Sequence, residues 1–335
     1  MKKCQDYHCN KLKLCITAVT IVLILCNWGF APHKELHAVA ITALPPTIYG
    51  FFKSHQTELI NRATDADKRK HGVEAEAARH YIDLDHFKEG IEPCSWFEAC
   101  ETFTEDTLQA RGVLPWNIEL VYGNLVHEFT QDTLNSGRVI RLCADLGHYI
   151  ADAHVPLHTS SNYNGQFSGQ TGIHALWETH VYETSRNSWT PIKLEARYIK
   201  DVRKWVWAII KKSHNDVNEV LTKEKSVREV ENAPEGYGYR TRGRTLTLVP
   251  TSDFCDAYSD AMGGMVEKRF YMAAEAISSI WYSAWADAGA PDLPLTMNHN
   301  IKGSKNGLVR FFQDLLTDQL EHVEDDQSQH QQKLK

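Results

Sequence analysis

Along most of the chain, apolar residues recur every three to four positions, the spacing of a helix that buries one face. The first such stretch runs from His33 to Leu44 and is stopped by Pro45 and Pro46; a second runs from Tyr49 to Ile60. Residues 65–79 are highly charged, and residues 89–96 read as a loop. A short helix is predicted over 104–111. Over 115–134, Ile118, Val121, Leu125 and Phe129 keep helical spacing until Gly137 breaks the pattern. Residues 139–154 form the central helix, and Pro156 ends it. A polar loop with glycines (160–172) precedes another helix. Residues 194–221 are amphipathic, with Ile199, Val202, Val206, Ile209 and Ile210 turned inward and Trp205 and Trp207 assigned to the core. Residues 236–249 alternate as a loop or small hairpin. The stretch 266–286 packs Met272, Ala273, Ala276, Ile277 and Ile280 on one side before Gly289 and Pro291 end it. A terminal helix is predicted over 307–322, then a polar, disordered tail over 323–335. With no repeat and no linker, the pattern predicts one all-α domain spanning 28–322.

The chemistry is concentrated between Leu146 and Glu183. His148 and Asp152 are four apart and share a helix face. His158 follows Pro156 at a turn, and His174 and Glu178 repeat the four-residue spacing on the next helix. Two helices thus point imidazoles and carboxylates into one cleft, with His158 at the corner. These are the usual non-thiolate ligands of zinc. Any one of these histidines alone reads as a core or surface residue; five groups with this spacing do not. His154 lies roughly 200° from the His148/Asp152 face and reads as a support behind the ligands or as structural.

Charge and cysteines narrow the compartment and the partners. The net charge is −7. Residues 1–27 hold four lysines and one aspartate, a net of +3, so the remainder carries −10, which gives no electrostatic pull toward nucleic acid. Lysines followed by an apolar run over 14–26 read as an export signal, with a retained membrane anchor as the alternative because the cleavage site lacks small residues. Of the body's cysteines, Cys94 and Cys100 are either a local disulfide or two thiols, and Cys143 is a buried thiol. No CxxC pair supports a thiolate site.

The spacing His148-x3-Asp152-x5-His158, then His174-x3-Glu178 after one loop, resembles the superfamily of zinc-dependent phospholipases C and S1/P1-type single-strand nucleases. Trp28 with His33 five positions on, and Asp65 (rather than Asp67) with His80 upstream, fill the remaining positions of that pattern. The resemblance implies an all-α domain holding three zinc ions. Asp65, His80, His148 and Asp152 would hold one; His158, His174 and Glu178 the second. The freed amine and carbonyl of Trp28, with His33 and Asp152, would hold the third. It also implies hydrolysis of a phosphate ester by water activated between zinc ions. Asp83, Asp85 and Lys88 are candidates for orienting ligands or contacting phosphate, or are solvated charges.

Within the superfamily, Glu178, the compact loop and the acidic body favour a phospholipase C-like activity on phospholipid, with membrane-surface contact. The Trp28–His33 spacing favours a single-strand nuclease, with Tyr163 or Phe167 stacking on bases. A secreted binding protein with an inactive zinc cluster is the reading from another class. A zinc protease is disfavoured by the lack of HExxH. No protein partner is expected, and the chain is expected to act as an exported monomer.

Overall fold

The computed structural model describes residues 30–87, 91, 93–230, 236–242 and 245–294. Residues 1–29, Lys88, and the terminal helix and tail expected beyond 294 lie outside them. The described residues are mostly helical, as the pattern predicts, with one two-stranded sheet. No helix among them is long and apolar enough to cross a membrane.

Thirteen α-helices are present among the described residues. They begin with α1 (Phe30–Thr42), α2 (Pro46–Ser54), α3 (Gln56–Arg62) and α4 (Asp65–Arg69), followed by a 3-10 segment, Glu74–His80. Then come α5 (Trp96–Phe103), α6 (Glu105–Arg111), α7 (Leu114–Phe129) and α8 (Ser136–Ala153). After a 3-10 turn at Pro156–Thr159, α9 (Ile173–Ala175) runs through a π turn (Leu176–His180) into α10 (Val181–Ser185). The last helices are α11 (Val202–Glu229), α12 (Ser252–Ala261) and α13 (Met265–Asp287), with the antiparallel hairpin β1 (Tyr237–Arg242) and β2 (Thr245–Pro250) before α12.

α8 is the axis of the core. From Leu142 to Ala153 all but Asp145 are buried, because α1, α3, α7, α11 and α13 pack around it. Gly137 does not precede this helix but sits in its first turn, since the Asn135 side chain accepts from the Arg138 N–H at 3.0 Å and starts the helix there. The α8 backbone closes on α1 only because residue 147 is glycine: a Cβ there would lie 2.5 Å from Nε2 of the buried His37. That ring lies between the carbonyls of His33 (2.7 Å) and Ala144 (3.1 Å), and burial drops its pKa to about 4. The neutral His37 ring thereby packs between the turn carrying His33 and the helix carrying His148, its single N–H able to donate to one of the two carbonyls.

Two departures from the expected elements have local causes. The long amphipathic helix begins at Val202, not Leu194, because Asp201 caps it by accepting from the Lys204 N–H. The residues before it carry no regular secondary structure and are pinned, with the N–H groups of Arg197 and Ile199 donating to the hydroxyls of Ser279 and Ser283 on α13. α5 was not expected at all, although Ser95 and Glu98 form a reciprocal capping box at its start. Cys94 and Cys100 are both thiols, and Cys143 is fully buried as expected.

Candidate metal centre

Six chain segments, α4 with Asp67 among them, bring ligand atoms to one wall of a cleft of about 1040 Å³. α8 contributes His148 and Asp152. Its end at His154 and the Pro156 turn bring His158 back over the same face. α9 and its π turn contribute His174 and Glu178, and α1 contributes His33. The 3-10 segment delivers His80. That segment is laced on both sides: Ile82 N–H donates to His158 O (2.9 Å), and Val113 N–H donates to Ala78 O (2.7 Å).

The ligand atoms fall into three groups. In the first, His80 Nδ1 and His148 Nε2 face each other at 3.1 Å. Asp152 Oδ2 lies 2.8 and 3.4 Å from them, and Asp67 Oδ1 lies 3.8 and 3.5 Å from them. Tetrahedral ligands about 2.0–2.2 Å from a zinc-sized ion stand roughly 3.3–3.6 Å apart, so these separations suit a shared cation. In the second group, Glu178 Oε2 lies 2.8 Å from His174 Nε2 and 3.7 Å from His158 Nε2. The third joins His33 and His148, whose rings stack at 4.1 Å, to Asp152, with His33 Nε2 3.5 Å from Asp152 Oδ1 and 3.4 Å from Glu178 Oε1. Asp152 therefore touches all three groups, its Oδ1 also lying 4.0 Å from His158 Nε2.

The rings are held from behind, which fixes the nitrogen that faces the cleft. His148 Nδ1–H donates to Ala63 O at 2.9 Å, His158 Nδ1–H to His80 O at 2.6 Å, and His174 Nδ1–H to Tyr163 O at 3.2 Å. His158 Nε2 is left buried with no hydrogen-bond partner, and three carboxylates crowd the same space. Buried groups of this kind require a compensating charge. The donor set of imidazole and carboxylate, without thiolate, fits a divalent transition-metal ion.

One expected ligand is replaced. Asp65 lies outside the groups, its carboxylate paired with Lys68 at 2.9 Å and Arg62 at 3.5 Å. Asp67 takes its place. The two are two residues apart on α4, roughly 200° around the helix, so only one can face the cleft. Asp83 lines the cleft without joining a group: it is buried 3.8 Å from Arg111, and burial, then the Asp85 carboxylate, push its pKa up. Asp85 is structural, accepting from the Ser161 N–H at 3.0 Å and the Ser161 hydroxyl at 2.6 Å. That bond anchors the start of the 160–172 loop. Gln170 anchors its end on α11 through Leu221 O at 2.8 Å. His154, buried with its Nδ1–H on Ile150 O and its pKa lowered by burial to about 4, is the structural histidine expected.

Three participants were not singled out from the sequence. Glu76 is fully buried, held by Arg69, Arg79 and the Tyr149 hydroxyl, and its Oε1 lies 3.6 Å from His80 Nε2. Its carboxylate faces the back of the His80 ring from beyond hydrogen-bond distance, unlike the carbonyls that accept from His148, His158 and His174. Lys70, bound to Asp67 at 2.8 Å, and Arg111 place cations along the cleft.

Electrostatics within the cluster set a pH dependence. Burial opposes charge on His148, yet the carboxylates of Asp152 and Asp67 hold its pKa well above the usual 6.5. Burial likewise opposes charge on Glu178, yet His158 and His174 hold its pKa well below 4.5. The raised imidazole stabilises the metal-free fold below about pH 6.5, and that contribution is lost as pH rises through its folded pKa. The lowered carboxylate stabilises it above about pH 4.5, and that contribution is lost as pH falls. Protons also compete with cations for the imidazoles. The melting-temperature difference between metal-loaded and chelator-treated protein is therefore expected to widen from pH 5 to pH 8. A difference that is constant or shrinks with rising pH, measured by calorimetry, contradicts a cation site built on His148.

No known protein family matches the chain, and no characterised protein is significantly similar to it in sequence.

Proposed function

We propose that this chain is an exported zinc-dependent hydrolase of phosphate diesters, of the phospholipase C/S1–P1 nuclease type, with phospholipid as its substrate. The observation that carries the reading is the meeting of three His/carboxylate groups around Asp152 on the wall of one open cleft that also holds Lys70 and Arg111. Zinc ions at such a site supply acidified water as a nucleophile at neutral pH and offset phosphate charge. Asp67, His80, His148 and Asp152 would hold one ion, and His158, His174 and Glu178 another. His33 and Asp152, with the amine and carbonyl of Trp28 outside the described residues, would hold a third. Lys70 and Arg111 bind the phosphate oxygens, and Asp83, within reach of Arg111, sets the direction of that guanidinium. Glu178, the compact 160–172 loop and the acidic body favour a phospholipid over a polyanion.

A second reading, single-stranded nucleic acid, is favoured by Tyr163 and Phe167. Both line the cleft and are exposed, as stacking platforms are. Metal analysis and N-terminal sequencing of the mature protein, with hydrolysis of phosphatidylcholine, single-stranded DNA or RNA and bis-p-nitrophenyl phosphate, test the proposal. We expect about three zinc ions per chain, a chain starting at Trp28, and faster turnover of the phospholipid. Zinc without turnover of any of these substrates would return the chain to the class of binding proteins.

A further inference from the structure

Of the eleven large apolar side chains exposed among the described residues, five come from the two segments that border the candidate cleft: Tyr163 and Phe167 on the 160–172 loop, and Tyr239, Leu246 and Leu248 on the hairpin. Directly opposed residues of an antiparallel pair share a face. The register pairs Tyr237 with Pro250, Tyr239 with Leu248 and Thr241 with Leu246, so these six side chains form one face. The base of that face closes the cleft, since Tyr237, Leu248 and Pro250 line it together with Tyr163 and Phe167. Its outer part, Tyr239 at 73% exposure and Leu246 at 62%, stands clear of the cleft.

An isolated two-stranded hairpin gains little from exposing such residues to water, and an apolar patch beside a binding site marks a contact surface. Charge indicates what it contacts. The sequence 237–250 contains Arg240, Arg242 and Arg244 and no acidic residue, a local +3 on a body carrying −10. By the register, Arg240 and Arg242 fall on the face opposite Tyr239 and Leu246. A hairpin with one apolar face and a basic sequence suits a lipid headgroup region, where apolar groups enter the acyl boundary and net positive charge favours anionic phosphate.

We infer that the hairpin β1–β2, with Tyr163 and Phe167, docks the protein on a phospholipid bilayer so that the cleft mouth opens onto the membrane. The occupant deepens the phospholipid reading of the cleft and rests on it for its purpose. The docking itself needs no turnover and is measured separately.

The test is sedimentation of the full-length protein with phosphatidylcholine vesicles, with and without phosphatidylglycerol. It is run alongside hydrolysis of bis-p-nitrophenyl phosphate, which is soluble and needs no surface. Binding is expected to strengthen with phosphatidylglycerol and to weaken with salt. Replacing both outer residues, Tyr239→Ser and Leu246→Ser, is expected to lower partitioning at least about tenfold and leave turnover of the soluble diester unchanged. The single variant Leu246→Trp is expected to strengthen partitioning. Unchanged partitioning of both variants, as would follow from attachment through residues 1–27, overturns the inference. So does retention by single-stranded RNA with none by vesicles, or sedimentation of the protein without lipid through self-association. Vesicle binding that depends on Tyr239 and Leu246, without hydrolysis of any diester, supports the docking while removing the enzymatic reading.

Discussion

Replacing Asp152 with Asn is expected to lower phosphodiester hydrolysis by roughly 10³-fold or more and to strip the protein of most of its metal. The substitution keeps the side chain's shape and removes its charge. The two oxygens of Asp152 serve different groups: Oδ2 lies against His80 and His148, and Oδ1 against His33 and His158. An amide offers a single acceptor and turns an N–H donor toward one set of imidazole nitrogens, so at least one group loses a ligand. Outer partners of metal ligands cost about 10- to 100-fold when removed, and a shared ligand costs more. Burial resists the carboxylate's charge, but His148 and His158 draw its pKa well below the usual value, so it is anionic throughout the physiological range. Metal content and circular dichroism on the same sample separate loss of the site from loss of the fold. Full metal content with full activity in Asp152→Asn would discard the centre.

The second large effect is an asymmetry between two neighbours. Asp67→Asn is expected to remove metal from the group it forms with His80 and His148 and to lower activity by about 100-fold or more. Asp65→Asn is expected to change activity less than about twofold, because it loses only ion pairs to Lys68 and Arg62 at the surface. The measurement is metal stoichiometry and initial rate for the two variants side by side. Equal losses, or a larger loss at Asp65, would mean that α4 presents its other face to the cleft. Lys70 sharpens the contrast: its ammonium lies 2.8 Å from Asp67 Oδ1, so removing that carboxylate also frees a cation beside the site.

The same pair of residues shows where sequence reading stops. The helical phase of α8 is written in thirteen buried positions, and it placed His148 and Asp152 on one face without error. α4 has five residues and one buried side chain, Ala66, so no periodicity distinguishes Asp65 from Asp67. Their facing is decided by packing against α8, including the bond from His148 to Ala63 O just before α4. Glu76 escaped for a similar reason: it sits in a 3-10 segment without an apolar rhythm, within the highly charged stretch 65–79. The run before Val202 was misread because Ile199 and Val202 continue the apolar spacing of α11, while the N–H groups of Arg197 and Ile199, two residues apart, are instead pinned along α13. α5 was also missed, although the Ser95 and Glu98 of its capping box stand in the sequence.

The backbone carbonyls behind the imidazoles carry a consequence for how the centre fills. Ala63 O, His80 O and Tyr163 O hold His148, His158 and His174 through bonds that involve no ion, and Asp85 and Gln170 latch both ends of the loop that delivers His174. The receptacle is assembled by the fold itself, so the chain does not wait for metal to organise it. Were the proposed ions bound, their uptake would be expected as a late, reversible event on a finished scaffold rather than as a step of folding.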